Sequence, residues 1–490
     1  MGRGGQGVRH DVCVIGAGAD GLAAAATLAA RGLNVAVVER DSLCGGRCVT
    51  REFHPGFRAS PYVDELPAIP ADIFWSLDLA RRGALLAPAS SSLALWPDRQ
   101  SLLPPRAEQA LRRTIADRVL ADAGESPKRT LFASAPPCAS WPGEELAVRT
   151  LLDALGELSA DFAERAHLLA SVLDGRVCDP TLAGSALELL AGAPGGMAAG
   201  GLGRLGEALR AAAEEAGAEI TCGLEATDIK RKARRVTGVG LADGSEIAAR
   251  AVISTLDLKR TFLSLFSWSE LPRAVVDRVG AFRPAPGTAR LLVALEAPPD
   301  SPAGTDAFAL RGPIHVAPDA VALDDAYRAW RRSAVPERPP AMLRLVSAVD
   351  PSLAPDDAAT LTVTLGAIPH TPFDGAWTHE KRDRLRDTAL AAVETVWPGV
   401  AKRVLGLELI VPPDVEHMLG VSGGDLTGGE LAADQMLGFR PFADCRGSRT
   451  PVEGLYLAGP SSALGPLATC AAGVAAARAV MADFAAGRLK

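Results

Sequence analysis

The chain has 490 residues, of which 48% are hydrophobic and 22% charged, enough to bury a large core in two or three domains or in one two-lobed enzyme. A net charge of −7 and a pI of about 5.7 exclude nucleic acid as the main partner. Eight scattered cysteines form no C-x-x-C pair and complete no zinc site, so no metal is expected and the thiols read as reduced.

The first ten residues carry no apolar stretch of a secretory signal, and no run is apolar enough to span a bilayer. A cytoplasmic protein is expected, with peripheral membrane contact left open. Val12 to Ile15 is a short apolar run that fits a buried parallel strand. Gly16, Gly18 and Gly21 follow in G-x-G-x-x-G spacing. An Ala-rich helix then runs to about Ala30, closed by Gly32. A second strand, Val35 to Val38, ends in Glu39 and Arg40.

In that context Gly16 allows the tight turn, Gly18 lets a pyrophosphate approach the backbone, and Gly21 lets helix and strand pack closely. Free N–H groups at the helix start favour the phosphate charge. Glu39 stands where a carboxylate accepts from ribose hydroxyls and repels a 2′-phosphate. NAD and FAD use the same device, so these residues leave that choice open. Gly45, Gly46 and Arg47 would set backbone donors and one guanidinium beside a second phosphate or a flavin edge. The same tripeptide also fits an ordinary surface turn.

Residues 48–66 read as a short strand and a turn at Pro55-Gly56. Residues 67–191 read as helix-rich, interrupted at Pro88, Pro97, Pro104-Pro105, Pro136-Pro137 and Pro142. Leu146 to Leu173 has apolar positions near helical spacing, which suits a cavity cover and an ordinary core equally. Residues 192–266 return to alternation: a helix from Leu202 to Ala216, then strands Glu219 to Cys222, Ala226 to Ile229, Val236 to Leu241, Glu246 to Ala249 and Ala251 to Ser254. Asp243-Gly244 makes a hairpin turn, and the basic run Lys230 to Arg235 reads as a solvated hairpin end.

Residues 267–414 hold strand-like segments at Thr288 to Leu295, Ala341 to Val349 and Leu361 to Ile368, and an amphipathic helix from Arg382 to Trp397. They suggest a sheet carrying helices on one side. Gly454 to Gly459 is an apolar strand ending in glycine, followed by a loop and a small-residue helix from Cys470 to Phe484. A helix start there would favour the anionic ring of a reduced flavin.

The N-terminal glycines with Glu39 and Gly45-Gly46-Arg47, the segment Gly195-Gly196-Met197, and the terminal Gly454-Leu455-Tyr456-Leu457-Ala458-Gly459 strand occur in one order. It is the order of the phytoene-desaturase-like FAD-dependent oxidoreductases, which the chain resembles over nearly its whole length. Pro55-Gly56-Phe57-Arg58, Ile314-His315, Pro412-Pro413-Asp414 and Asp434-Gln435 add to the likeness.

The resemblance implies an α/β fold with a Rossmann-type FAD-binding domain like that of amine oxidases, built from 1–66, 192–266 and 415–490. A second, mixed α+β substrate-binding domain would comprise 67–191 and 267–414. FAD would be held by Gly16, Gly18, Gly21, Glu39, Arg40, Gly45, Gly46 and Arg47. By the same resemblance the backbone of Ala226 meets the adenine. Gly459 and Pro460 lie near the second phosphate and ribitol, and Thr469 to Gly473, Cys470 among them, lie near the flavin ring. Two positions depart from the family pattern. The usual Gly-rich run is here Leu464 to Cys470, whose bulkier residues would press toward the flavin, and Gly428 stands where relatives carry His. These departures bear on the reaction rather than on the cofactor.

A flavin accepts hydride itself, while the protein orients the substrate and excludes water. That suits a chain whose seven histidines are isolated in sequence. His315 is the catalytic candidate among them. Cys470 is the thiol candidate, because a helix start lowers a thiol's pKa; a packed small residue and a covalent flavin link are its other readings. The leading expectation is a dehydrogenase, desaturase or oxidase taking a hydride from an apolar, polyene or isoprenoid-like substrate, with oxygen or a quinone as electron acceptor. The alternatives are an amine oxidase acting on a C–N bond, for which three tyrosines make a poor aromatic cage, and an FAD-binding scaffold with little turnover.

Overall fold

The computed structural model describes residues 10–489 apart from 88–90, 97, 104–149, 157–160, 182–184, 191–194, 268, 303–304, 437–439, 443–444 and 446. The interruptions expected at Pro88, Pro97, Pro104-Pro105, Pro136-Pro137 and Pro142 therefore lie outside the described residues, as do Cys138 and Pro194.

β1 (His10–Ile15), α1 (Ala19–Ala29) and β2 (Val35–Val38) open the chain. β1 and β2 pair in parallel, which the intervening helix allows, since parallel neighbours need a crossover. A small hairpin, β3 (Arg51–His54) and β4 (Phe57–Ala59), turns at Pro55-Gly56. Next come β5 (Ser92–Leu95), β6 (Gln100–Leu103), α2 (Phe162–Leu173) and α3 (Leu202–Glu215). β7 (Glu219–Thr221), β8 (Ala226–Lys232), β9 (Arg235–Leu241) and β10 (Glu246–Ser254) return toward the first sheet. β11 (Ala289–Leu295), β12 (Ile314–Val316), β13 (Ala341–Leu345), β14 (Ala359–Leu365), α4 (His379–Val396) and β15 (Val404–Ile410) follow. α5 (Pro412–Leu419), β16 (Leu455–Leu457) and α6 (Ala471–Ala485) end the chain.

The first sheet runs β7-β2-β1-β10-β9-β8, and β16 joins it on β10. β10 serves two pairings: Ala249 to Ser254 lie parallel to β1, while Glu246 to Ala248 lie antiparallel to β9. Val12, Cys13, Val14, Val35, Val37, Val252 and Ile253 are fully buried, as expected of parallel strands covered on both faces. α1 packs between α3 and α6. Its alanines leave room for close approach, and Leu22 and Leu28 fill the core.

The second sheet runs β15-β11-β14-β13-β12-β5-β6. Its side chains alternate. Leu291, Leu343, Leu361 and Val363 pack with Leu385, Ala389 and Val393 of α4. Arg290, Arg344, Thr362 and Thr364 take the opposite register positions. Among the described residues no helix is long and apolar enough to cross a membrane.

Three expectations change. β5 and β6 fall inside the stretch read as helical, because β5 finds a distant parallel partner in β12. The basic run is mostly strand: Lys230, Arg231 and Lys232 belong to β8, and the turn is confined to Ala233 and Arg234. The strand read as Ala341 to Val349 stops at Leu345, and Val346–Val349 turns into a helix.

Candidate active site

The C-terminal ends of β1, β2, β10 and β16 deliver Gly16, Glu39, Thr255 and Gly459 to one cleft of about 970 Å³. This is where open parallel sheets place ligands. Gly18, Arg40, Gly45, Gly46 and Arg47 line it from the N-terminal segment. Ala226 lines it from the start of β8, and Pro460 and Thr469 from the C-terminal segment. Gly21 sits behind the cleft, where a Cβ would lie 2.0 Å from the carbonyl oxygen of Gly16.

Gly16 has φ +95°, and a Cβ on it would meet Thr255 Oγ1 at 2.2 Å. That hydroxyl donates to the Ile15 carbonyl at 2.9 Å, so the turn after β1 is clamped by β10. α1 begins at Gly18 with no side-chain cap, leaving its first-turn amides for an anion. Glu39 accepts from Ala17 N at 2.7 Å and from Asp41 N at 2.9 Å. Burial holds its carboxyl above the ordinary range. Arg40 donates to the carbonyl of Met418 at 2.5 Å and of His417 at 3.2 Å, closing the end of α5 onto the cleft. Arg47 donates to the Leu426 carbonyl at 2.7 Å, and burial lowers its pKa.

Two further residues shape the walls. Asp425 accepts from the amides of Gly429 at 2.7 Å, Ala285 at 3.0 Å and Gly428 at 3.1 Å. Arg440 is 1% exposed and donates to the carbonyls of Gly428 at 2.7 Å, Pro460 at 3.1 Å and Ser462 at 3.3 Å. Burial pulls its pKa down to about 10. Neither residue carries a local sequence signal; only their contacts mark them.

A bulky phosphorylated dinucleotide fits this donor set. Bare backbone at Gly18 and Gly46 crowds one wall so closely that a Cβ on Gly46 would stand 3.0 Å from Gly18 Cα. The uncapped helix start and the Arg47 guanidinium supply positive charge, and Glu39 supplies an acceptor.

Arg47, Tyr62, Leu66 and Leu426 line both the cleft and a smaller chamber of about 140 Å³. Val172, Met342 and Leu431 give the chamber apolar wall. Asp64, Glu65 and Asp174 add carboxylates. Arg290 bonds Asp64, Thr364 Oγ1 at 3.2 Å and the Ser60 carbonyl at 2.9 Å, with both charged side chains 4% exposed. Arg344 pairs with Glu65 at 2.6 Å and lies 3.6 Å from Asp174. Of the departing loop, Gly465 and Pro466 reach the chamber wall, while Leu467 packs against the cluster around Leu431.

The two catalytic candidates lie apart from the cleft wall. His315 is buried in β12, its ring 5.9 Å from that of His167. Burial and Arg344 lower its pKa to about 3, so it stays neutral across the physiological range. Cys470 is the N-cap of α6 but fully buried among the helices. The lowering expected from a helix start does not appear. Burial dominates and drives the thiol well above its ordinary value.

The fold and cleft define a dinucleotide-dependent oxidoreductase. The chain belongs to the FAD dependent oxidoreductase (DAO) family, whose model matches residues 11–376, and FAD is its cofactor. It is similar to pyridine nucleotide-disulfide oxidoreductase domain-containing protein 2 of Rattus norvegicus, with 28% identity across 97% of this chain and 94% of the rat protein. It also resembles 4,4'-diaponeurosporene oxygenase of Staphylococcus haemolyticus, with 24% identity across 47% of this chain and 43% of that one. In fold it matches cyclohexylamine oxidase from Brevibacterium oxydans at a TM-score of 0.62, with 16% identity, 98% of this chain and 99% of that chain covered.

Proposed function

We propose that the chain is a dehydrogenase or oxidase of the phytoene-desaturase-like type that removes a hydride from a carbon of an apolar group seated in the inner chamber. The observation behind this reading is the shared wall, where Arg47, Tyr62, Leu66 and Leu426 face the cleft and the chamber at once. Bound in the cleft, FAD supplies the hydride acceptor. Gly18, Gly45, Gly46 and Arg47 would hold its phosphates, and Glu39 its ribose. Val172, Met342, Leu426 and Leu431 would seat the substrate and exclude water. A cavity of about 150 Å³ takes up benzene. The chamber, at about 140 Å³, therefore suits a ring or the end group of a longer isoprenoid rather than a whole polyene.

A second reading, oxidation of a C–N bond, draws on the likeness in fold to cyclohexylamine oxidase; Asp64, Glu65 and Asp174 in the chamber wall do not add to it, because Arg290 and Arg344 already pair with them. Anaerobic mixing of the purified yellow protein with an isoprenoid or a small amine separates the two. Loss of the oxidised flavin's visible absorbance with the isoprenoid supports the first, and loss with the amine supports the second. Absorbance unchanged by every compound would overturn both and leave an FAD-binding protein with little turnover. Reoxidation by oxygen or by a quinone then identifies the electron acceptor.

A further inference from the structure

Cys44 lies in the turn between Glu39 and Gly45, and Cys222 directly follows β7. Their sulfurs are 3.1 Å apart, although 178 residues separate them in the chain. Both are half-buried, whereas Cys13, Cys48, Cys445 and Cys470 are buried. The two segments already run side by side. Glu39 N donates to the Thr221 carbonyl at 2.9 Å, Gly223 N to that of Asp41 at 2.8 Å, and Leu224 N to that of Glu39 at 2.9 Å. Arg210 on α3 stands close enough to lend both sulfurs positive potential.

We propose that Cys44 and Cys222 form a dithiol oxidation site that reacts with a hydroperoxide and closes a disulfide across the turn at the ribose end of the cleft. A disulfide needs sulfurs about 2.05 Å apart. The remaining approach is about 1 Å, within reach of side-chain rotation in an exposed turn. Burial and the neighbouring thiol push the Cys44 thiol up.

One sulfur of the pair, as its thiolate, attacks one oxygen of hydrogen peroxide: an S–O bond forms, the O–O bond breaks, and the leaving hydroxide takes up a proton as water. The other sulfur then attacks the sulfenic sulfur. The S–S bond forms, the S–O bond breaks, and a second water leaves with that second thiol's proton. Two thiols lose two electrons and the peroxide gains them. The bond ties the turn that carries Glu39 and leads to Gly45 and Gly46 to the end of β7. It thereby slows opening of that end of the cleft.

FAD-loaded protein treated with a modest excess of hydrogen peroxide tests it. The expected result is a mass lower by about 2 Da, the two hydrogens lost. A peptide cross-link between Cys44 and Cys222 accompanies it, reversed by dithiothreitol and absent in Cys44→Ser and in Cys222→Ser. Cys178→Ser keeps the cross-link. Release of FAD on dilution is several-fold slower in the oxidised wild type than in the reduced one, and the serine variants show no difference. Retained flavin absorbance in the serine variants establishes that they fold. Oxygen adducts without that cross-link would overturn the site, and a cross-link with unchanged FAD release would overturn the clamp.

Discussion

The backbone N–H of Gly473 donates to the Asp20 carboxylate at 3.1 Å, joining the last helix of the chain to the first across 453 residues. The approach is so close that a Cβ on Gly473 would lie 1.9 Å from the Asp20 carbonyl oxygen. α6 is thereby held against the start of α1, where the cleft opens.

Gly473→Ala is therefore expected to force α1 and α6 apart. Overpacking of this kind costs about 1–3 kcal/mol. Urea unfolding should show that loss, and FAD should dissociate more readily because the start of α1 moves. Wild-type stability and wild-type FAD retention in the variant would contradict the contact.

Asp20 gives a pH signature. Burial lifts its carboxyl from 3.8 to about 7, opposed in part by the Gly473 amide and Arg47. The folded state thus prefers the neutral acid. The cost of the charged form is absent below about pH 4, grows between there and about pH 7, and is complete above that. Asp20→Asn keeps an oxygen for Gly473 N and removes the charge. It should stabilise the protein at pH 8 by on the order of 1–3 kcal/mol and do little at pH 4. Denaturant melts of both proteins across that range check the sign.

Glu39→Ala removes the ribose acceptor and the bonds to Ala17 N and Asp41 N. Hydrogen bonds to charged groups contribute roughly 1.5–3 kcal/mol, so FAD affinity should fall about ten- to a hundredfold. Fluorescence titration of the apoprotein with FAD measures it. Unchanged affinity would remove Glu39 from the binding set.

Asp64→Ala leaves Arg290 buried without its carboxylate. Breaking such a pair costs about 3–5 kcal/mol, whereas replacing both partners by apolar residues is often neutral. The double change Asp64→Leu with Arg290→Met should therefore recover most of the stability lost in the single variant. Equal losses in the two proteins would count against the pairing.

The stretch from Val12 to Glu39 was legible because its signals are local. Glycine spacing, a helix of small residues and an acid at the strand end all fall within one crossover unit, and the structure brings Gly16, Gly18 and Glu39 to one cleft. Ala226, Gly459 and Thr469 could be placed only through family order, since nothing in their own neighbourhoods speaks of a ligand. Asp425, Arg440 and the Arg290–Asp64 pair were invisible. Each is a charged residue in an ordinary-looking segment; Arg440 and the Arg290–Asp64 pair act through partners many residues away, and Asp425 adds the distant amide of Ala285 to its local turn. Cys470 misled for a related reason. Its position at a helix start is local, but its burial is a property of the whole packing. β5 escaped likewise, because a strand defined by a distant partner leaves little trace in its own residues.

Arg440 reaches Gly428, Pro460 and Ser462 through their carbonyl oxygens alone. A main-chain oxygen is present whatever side chain a position bears. Except at Gly428, where any Cβ would collide with Pro460 at 2.5 Å, mutation around the cleft rim can thus retune which molecules are admitted while the course of the polypeptide stays put. A fastening of this kind separates the evolution of selectivity from the upkeep of the scaffold.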